Sequence, residues 1–311
     1  MIKEVCHLLA SIQGAVESGL LYALMALGVY ITFRILDFPD LTVDGSFTTG
    51  AAIGTVLTVN GTAPWLAIIC AFIGGAIAGT CTGLLHTKGK VNGLLSGIIM
   101  MIALYSINLR IMGKPNLSLR GHDNLFDNLP TLAVMIIFVI IVKLVLDLFF
   151  RTDIGLSLRA TGDNSRMIRS FGANTDITTI FGIALSNALV ATSGGLVAHY
   201  QKYADNSMGI GMIVIGLASV IIGEAIFGAR TIFRATLAAV LGSIIYRIIY
   251  AFALRVEWLE ASDMKLITAV IIIFALVVPS TRRVIKQKNV ARKRTAEMLA
   301  SLDKAQPGGG R

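Results

Sequence analysis

The feature that most constrains this chain is the recurrence of apolar runs about 20 residues long. A hydrocarbon core about 30 Å thick needs roughly 20 apolar helical residues to cross it. Such runs fall at Ile12–Phe33, Pro64–Leu85, Leu94–Met112, Thr131–Phe150, Ile177–His199, Gly209–Ile226, Phe233–Leu254 and Met264–Pro279. A further run, Ser46–Asn60, is too short: at 1.5 Å per residue it reaches only about 20 Å. Within 311 residues, 55% are hydrophobic and 14% charged, whereas soluble domains carry about 25% charged residues. The expected fold is all-α: a polytopic transmembrane bundle of about nine spans, one of them short or broken. Residues 1–280 form one membrane domain and residues 281–311 a basic cytoplasmic tail. The first run ends in Tyr-Ile-Thr-Phe-Arg without a small-residue cleavage site, so it is expected to stay in the mature protein.

The net charge of +9 is distributed beside the spans rather than gathered into a groove, which argues against nucleic-acid binding. Lys and Arg mark cytoplasmic loops. With the N-terminus outside and the C-terminus inside, 18 of these residues fall inside and seven outside, nine of the 18 in the tail. Asn124 then lies in an external loop. Cys6, Cys70 and Cys81 have no metal spacing and form no disulfide framework. No G-x-x-x-x-G-K-[ST] phosphate loop occurs, so any use of ATP falls to another subunit.

Two polar stretches interrupt the apolar pattern. The longer is Arg151–Asp176, RTDIGLSLRATGDNSRMIRSFGANTD. Asp163 or Asn164 can cap a short helix over Ser165–Phe171, with Gly172 as a left-handed stop. Met167, Ile168 and Phe171 then share one face, and Arg166 and Arg169 point to water or to an acidic partner. Thr175 or Asp176 caps the helix that follows. Two turns are not stable alone in water, so a lipid surface or a protein partner must hold the apolar face.

The second stretch is Leu36–Gly50, LDFPDLTVDGSFTTG. It joins a long span to the short one. Irregular backbone at membrane depth is tolerated only where protein buries it or water lines it, so the segment is expected to fold in beside a cavity. Asp40 can cap a turn through Thr42 and Val43, and Asp44 the helix beginning at Ser46. Both aspartates are readable as caps, as pathway groups, or as both. Asp40, Thr42, Asp44, Ser46, Asn108 and Asn187 are the candidate pathway residues. Lys143 and Asp147, spaced i, i+4, are expected to pair or snorkel, Arg247 to snorkel, and the small residues of Gly74–Gly83 to pack helices together.

These stretches carry a resemblance. DLTVDGSFTTGA resembles the D-L-S-x-G-S element of permeases of the branched-chain amino acid and ribose type of ABC importer. LRATGDNSRMIRSFGANTD resembles their cytoplasmic coupling segment, R-A-x-x-x-x-x-x-A-x-x-x-G-I-N, and GEAIFGARTIFRATLAAVLGS their G-x-x-x-x-x-G-A segment. The resemblance covers roughly residues 14–280. The spellings LDFPDLTVDGSF and ALYSINLRIMGKPN resemble a bacterial subgroup implicated in tryptophan or other aromatic amino acid uptake. Asp44 departs from the sugar permeases.

The resemblance implies a permease subunit in the bacterial inner membrane that moves a small solute, an amino acid and within the subgroup an aromatic one. It implies no enzymatic activity and no cofactor in this chain; ATP and Mg are bound by a cytoplasmic ATPase. Arg159, Ala160, Gly162, Asp163, Arg166, Met167, Ile168, Phe171 and Gly172 would dock in a groove of that ATPase. A second permease copy, homodimeric if no sister chain exists, and an external solute-binding protein complete the assembly. A secondary transporter, or a permease for a sugar or nucleoside, is the alternative.

Overall fold

The computed structural model describes residues 2–253 apart from 123, 128 and 129, together with 266, 269, 270 and 273; for residues 2–10 it describes the backbone alone. The ninth expected span and the basic tail lie outside the described residues, apart from those four positions. α1 (Ile2–Val29) runs into a π-helical turn, Tyr30–Ile35. There follow α2 (Thr42–Val59), α3 (Pro64–Thr87), α4 (Gly93–Met112), α5 (Thr131–Phe149), α6 (Asp153–Ser170), α7 (Thr175–Gln201), α8 (Met212–Phe227) and α9 (Ile232–Ala253). Six helical stretches are long and apolar enough to cross a membrane, and α8 is a shorter apolar helix. The chain is thus a polytopic helical membrane protein. One departure is a small sheet: β1 (Asn116–Ser118) pairs antiparallel with β2 (Tyr203–Asp205), Asn116 opposite Asp205. Three-residue strands carry no periodicity that a sequence reading can detect.

α2 and α7 form the centre. α2 is rich in Gly, Ala and Thr and is buried over most of its length. Its small side chains let α7 approach on one side and α3 and α4 on others. Along α3, Gly75, Gly79 and Gly83 face α7 in succession: a Cβ on Gly83 would lie 2.8 Å from Ile180 Cα, and one on Gly79 2.8 Å from Ala184 Cα. Without a hydrophobic drive between helices in lipid, such close backbone approach maximises van der Waals packing. The expectation for Gly74–Gly83 therefore holds on the face carrying these three glycines. The large apolar side chains of α3, α4 and α5, such as Ile77, Ile102 and Leu148, point outward.

The expected short second span begins four residues earlier than read, at Thr42, and covers 18 residues. The segment before it, Leu36–Leu41, has no regular structure, and Leu36, Phe38 and Asp40 are buried. Asp40 reaches Asn187, close to the midpoint of the 27-residue α7. Irregular backbone thus sits at the depth of a spanning helix, buried by protein, as the sequence required.

One end of the bundle gathers the end of α1, the Leu36–Leu41 segment, the end of α3, α6 and the end of α8. Phe38 meets His86 edge-on with ring centroids 5.0 Å apart, and Arg34 of the π-turn pairs with Glu224 of α8 at 3.0 Å. At the opposite end, His199 is fully buried, with Nδ1 2.9 Å from Asn124 Oδ1 and Nε2 3.3 Å from Thr58 Oγ1. Asn124 Nδ2 donates to the His199 carbonyl at 2.8 Å, which ties the α4–α5 connection down onto α7. Asn124, read as an external loop position, is therefore inside the fold.

Candidate functional site

The two polar stretches meet at the first of these ends. α6 starts earlier than expected. Thr152 Oγ1 accepts from Gly155 N at 3.3 Å, and helix follows directly from Asp153. The sequence reading missed this first half. Its signal was present in a capping Thr followed by Asp153 in the first turn, with Leu158 facing in. Arg159, Ala160 and Gly162 belong to it, half-buried and ahead of the exposed turn.

The backbone then breaks at Asn164 (φ −158°, ψ 89°). Asn164 Oδ1 accepts from Met167 N at 3.0 Å and so caps a second, short helix that ends at Ser170. Between the two capping candidates it is Asn164 that serves, while Asp163 stays exposed. Gly172 takes the left-handed conformation (φ 86°), the stop expected of it. The next helix is capped one residue before the expected position: Asn174 Oδ1 accepts from Asp176 N at 3.1 Å and Ile177 N at 3.3 Å.

In this turn Met167 is 52% and Phe171 76% exposed, and Ile168 is half-buried. Arg169, expected to face water or an acidic partner, finds an acidic group in its own chain. Its guanidinium bonds Thr175 Oγ1 at 2.6 Å and Asp176 at 3.3 Å, bracing the turn against α7. Arg166 is exposed. The turn is thus capped and tied to α7, yet among the described residues nothing covers most of the surface of two large apolar side chains.

Gly162, just before the break, packs on the Ile35 carbonyl at the end of the π-turn, so closely that any Cβ would clash with backbone. Between the α6 break and the Asp37–Pro39 loop lies an open polar cavity of about 490 Å³, bordered by His86, Thr161, Asp163, Arg166 and Thr179. The first half of α6, which carries the exposed turn, is therefore in direct contact with the π-turn that leads to Asp40.

That segment does hold caps, but not all in the places read. Asp40 Oδ1 accepts from Thr42 N at 2.9 Å, and Oδ2 from Asn187 Nδ2 at 2.6 Å. Asp44 does not cap its own helix. It lies inside the first turn of α2, and its carboxylate accepts from Gly211 N and Ile213 N, both at 2.8 Å. It caps α8, where unpaired N–H groups and the helix dipole favour a negative charge. The short α8 is thus hung from α2 by one side chain.

Thr42 Oγ1 meets Thr82 Oγ1 at 2.8 Å, and Asn108 Nδ2 donates to the Gly45 carbonyl at 3.2 Å. Asp40, Thr42, Ser46, Asn108 and Asn187 are all buried inside this one chain, and Asp44 is half-buried. Ser46 Oγ, Asn108 Oδ1 and Asn187 Oδ1 have no hydrogen-bond partner. In this conformation these residues pack helices together and hold three unused acceptors in reserve.

Asp44→Ala should cost about 0.5–2 kcal/mol, the range for losing a capping side chain, read as a lower melting temperature of the purified protein. Asp44→Asn, which keeps one acceptor oxygen, should recover most of it. An Asp44→Ala protein as heat-stable as wild type would show the cap to be idle. If uptake per folded complex falls as well, Asp44 also serves the pathway.

Other intramembrane charges resolve in different ways. Lys143 and Asp147 pair with each other at 2.5 Å and do not snorkel; Lys143 Nζ lies 3.1 Å from the Phe233 ring centroid, and Thr236 Oγ1 donates to Asp147 at 2.7 Å. Arg247 lies against an aromatic ring of α1. Its guanidinium lies 3.6 Å from the centre of the Tyr22 ring.

Comparison with known proteins agrees with this architecture. The family model for the branched-chain amino acid transport system permease component matches residues 11–277. The chain is similar to a tyrosine transport system permease protein of Clostridioides difficile (strain R20291), 43% identical over 282 residues, covering 90% of this chain and 95% of that one. It is also similar to the galactofuranose transporter permease protein YtfT of Escherichia coli (strain K12), 26% identical over 217 residues, covering 67% of this chain and 62% of that one. Among solved structures it is similar in fold to PsaBC from Streptococcus pneumoniae in complex with Fab, with a TM-score of 0.57 at 12% identity, covering 93% of this chain and all of that one.

The fold and the polar stretches together define a multi-pass transport permease of the inner membrane. The chain belongs to the branched-chain amino acid transport system permease component family.

Proposed function

We propose that this chain is the permease subunit of a binding-protein-dependent ABC importer for an aromatic amino acid, and that the Asn164–Gly172 turn is where a cytoplasmic ATPase docks. The observation that carries the docking assignment is the exposure of Phe171 and Met167 on a turn that is separately capped at Asn164 and braced by Arg169. Arg166, Asp163 and Ile168 flank this surface; Arg159, Ala160 and Gly162 transmit its movement to the π-turn. ATP and Mg bind in the ATPase, and this chain needs no cofactor. ATP-driven closure of two ATPases would bring two such turns together and shift each permease between two packings. A second copy of the chain completes the pathway, and an external protein delivers the solute. Asp40, Thr42, Asp44, Ser46, Asn108 and Asn187 would line the path in the alternate packing, in which their unused acceptors find partners.

The aromatic assignment is supported by the 43% identity to a permease named for tyrosine transport. In proteoliposomes holding the permease, its ATPase and its binding protein, tyrosine should be taken up with ATP. Phenylalanine and tryptophan should compete, and ribose should not. Uptake of leucine in preference to all three aromatic amino acids would overturn it.

The topology that goes with this reading has the N-terminus outside, the C-terminus inside and about nine spans. A reporter fused after Arg311 should read as cytoplasmic. A tag inserted at Gly121, exposed and left-handed (φ 89°), should read as external; the buried Asn124 would not accept one. Both on one side would contradict this topology.

A further inference from the structure

An ionisable side chain within a spanning helix is costly unless it is paired, and it marks a ligand or pathway by default. Arg247 is such a residue on α9. Among the described residues no carboxylate pairs with it, and its contacts are the rings of Tyr22, at 3.6 Å, and Tyr250, at 5.4 Å. Its Nε is buried and has no hydrogen-bond acceptor.

α1 and α9 run antiparallel, with Gly19 against Ile244 and Ser243 Oγ donating to the Gly19 carbonyl at 2.9 Å. Arg247 is one turn beyond Ile244 toward the end that holds the β1–β2 pair. From there its side chain lies against α1, with the guanidinium over the buried Tyr22 ring.

Stacking on Tyr22 uses only a face of the guanidinium. Among the described residues no hydrogen bond engages its two Nη groups, which can form a two-toothed fork with a carboxylate. Tyr22 itself is held, buried and stacked on Phe47 with centroids 5.9 Å apart. Arg247 and Tyr250 are only half-buried, so the cation and the ring beside it can be reached from outside the chain.

We propose that Arg247 binds the carboxylate of the transported amino acid, held in place by the buried Tyr22 ring on which it lies and with the ring of Tyr250 beside it. This rests on the amino acid reading of the chain and adds the group that recognises the solute. The chemistry required of the ligand is a planar oxyanion next to a flat apolar surface, which an aromatic amino acid combines in one molecule.

The test is equilibrium binding to the purified permease–ATPase complex without the binding protein, with tyrosine and tyramine as probes; tyramine lacks the carboxylate. Wild type should bind tyrosine at least tenfold more tightly than tyramine. Arg247→Gln should bring the two within about twofold, and Arg247→Lys, charged but unable to form the fork, should fall between. Complex assembly and melting temperature are the controls for folding. An unchanged preference in Arg247→Gln overturns the proposal, as does a wild type that binds both probes alike. So does a phospholipid that native mass spectrometry finds on wild type and not on Arg247→Gln, with tyrosine binding unaltered.

Uptake separates this from the failure of the functional reading. If the complete importer moves a different amino acid, the aromatic assignment falls, and the same comparison is made with that amino acid and its decarboxylated amine. If it moves a solute without a carboxylate, both fall.

Discussion

Lys143→Met should be among the most damaging single substitutions in the described helices, with an expected loss of about 3–5 kcal/mol. The reason is the partner left behind. Asp147 is almost fully enclosed between α5 and α9, and Lys143 is its only counter-charge among the described residues. Removing the ammonium leaves a buried carboxylate with one hydroxyl donor, Thr236. It also removes a cation from the face of Phe233. Asp147→Leu alone should be damaging for the mirror-image reason.

The double variant Lys143→Met, Asp147→Leu should recover most of the loss, because apolar residues of similar volume can replace a buried pair at little net cost. The measurement is the fraction of protein still monodisperse after heating in detergent. A single variant as heat-resistant as wild type would show that the pair contributes nothing to the α5–α9 contact.

Phe171→Ala should release the ATPase subunit by a different route, with insertion and melting temperature unaltered. The ring lies outside every span and touches little within its own chain. A large apolar side chain that fills a partner's pocket is often one of the few that dominate an interface, and losing it costs about 2 kcal/mol or more, close to thirtyfold in affinity. Arg166→Glu should weaken docking further at low salt, where repulsion from an acidic groove is least screened.

Arg169→Ala should act otherwise. Its guanidinium is engaged with Thr175 and Asp176, so its loss should loosen the turn and lower the melting temperature. Co-purification of the ATPase at matched membrane levels and two ionic strengths reads these effects. Full retention by Phe171→Ala, with normal uptake, would remove this turn as the coupling element.

What the sequence by itself determined about this protein is what depends on near neighbours. Runs of apolar residues must be helical in lipid, because the backbone has no other hydrogen-bond partner there. A cap at Asp163 or Asn164 and a stop at Gly172 were legible, because each need arises within four residues of the group that meets it. The irregular stretch at Asp37–Leu41 followed from the length of the next helix alone. Even the first half of α6 was legible in principle, through Thr152 and Asp153; its polar composition hid it among the loops.

Only the tertiary structure decided which distant group answers a local need. The N-terminus of α8 required an acceptor, and nothing in its own neighbourhood showed that Asp44, 167 residues earlier, would supply it. The same holds for Asp40 and Asn187, separated by 147 residues, and for the pairing of β1 with β2. The register of α1 on α9 likewise set Arg247 over Tyr22. Several acids and amides along the chain could have met each of these requirements equally well. Close contact between small-residue helix faces, set by packing rather than by pattern, selected among them.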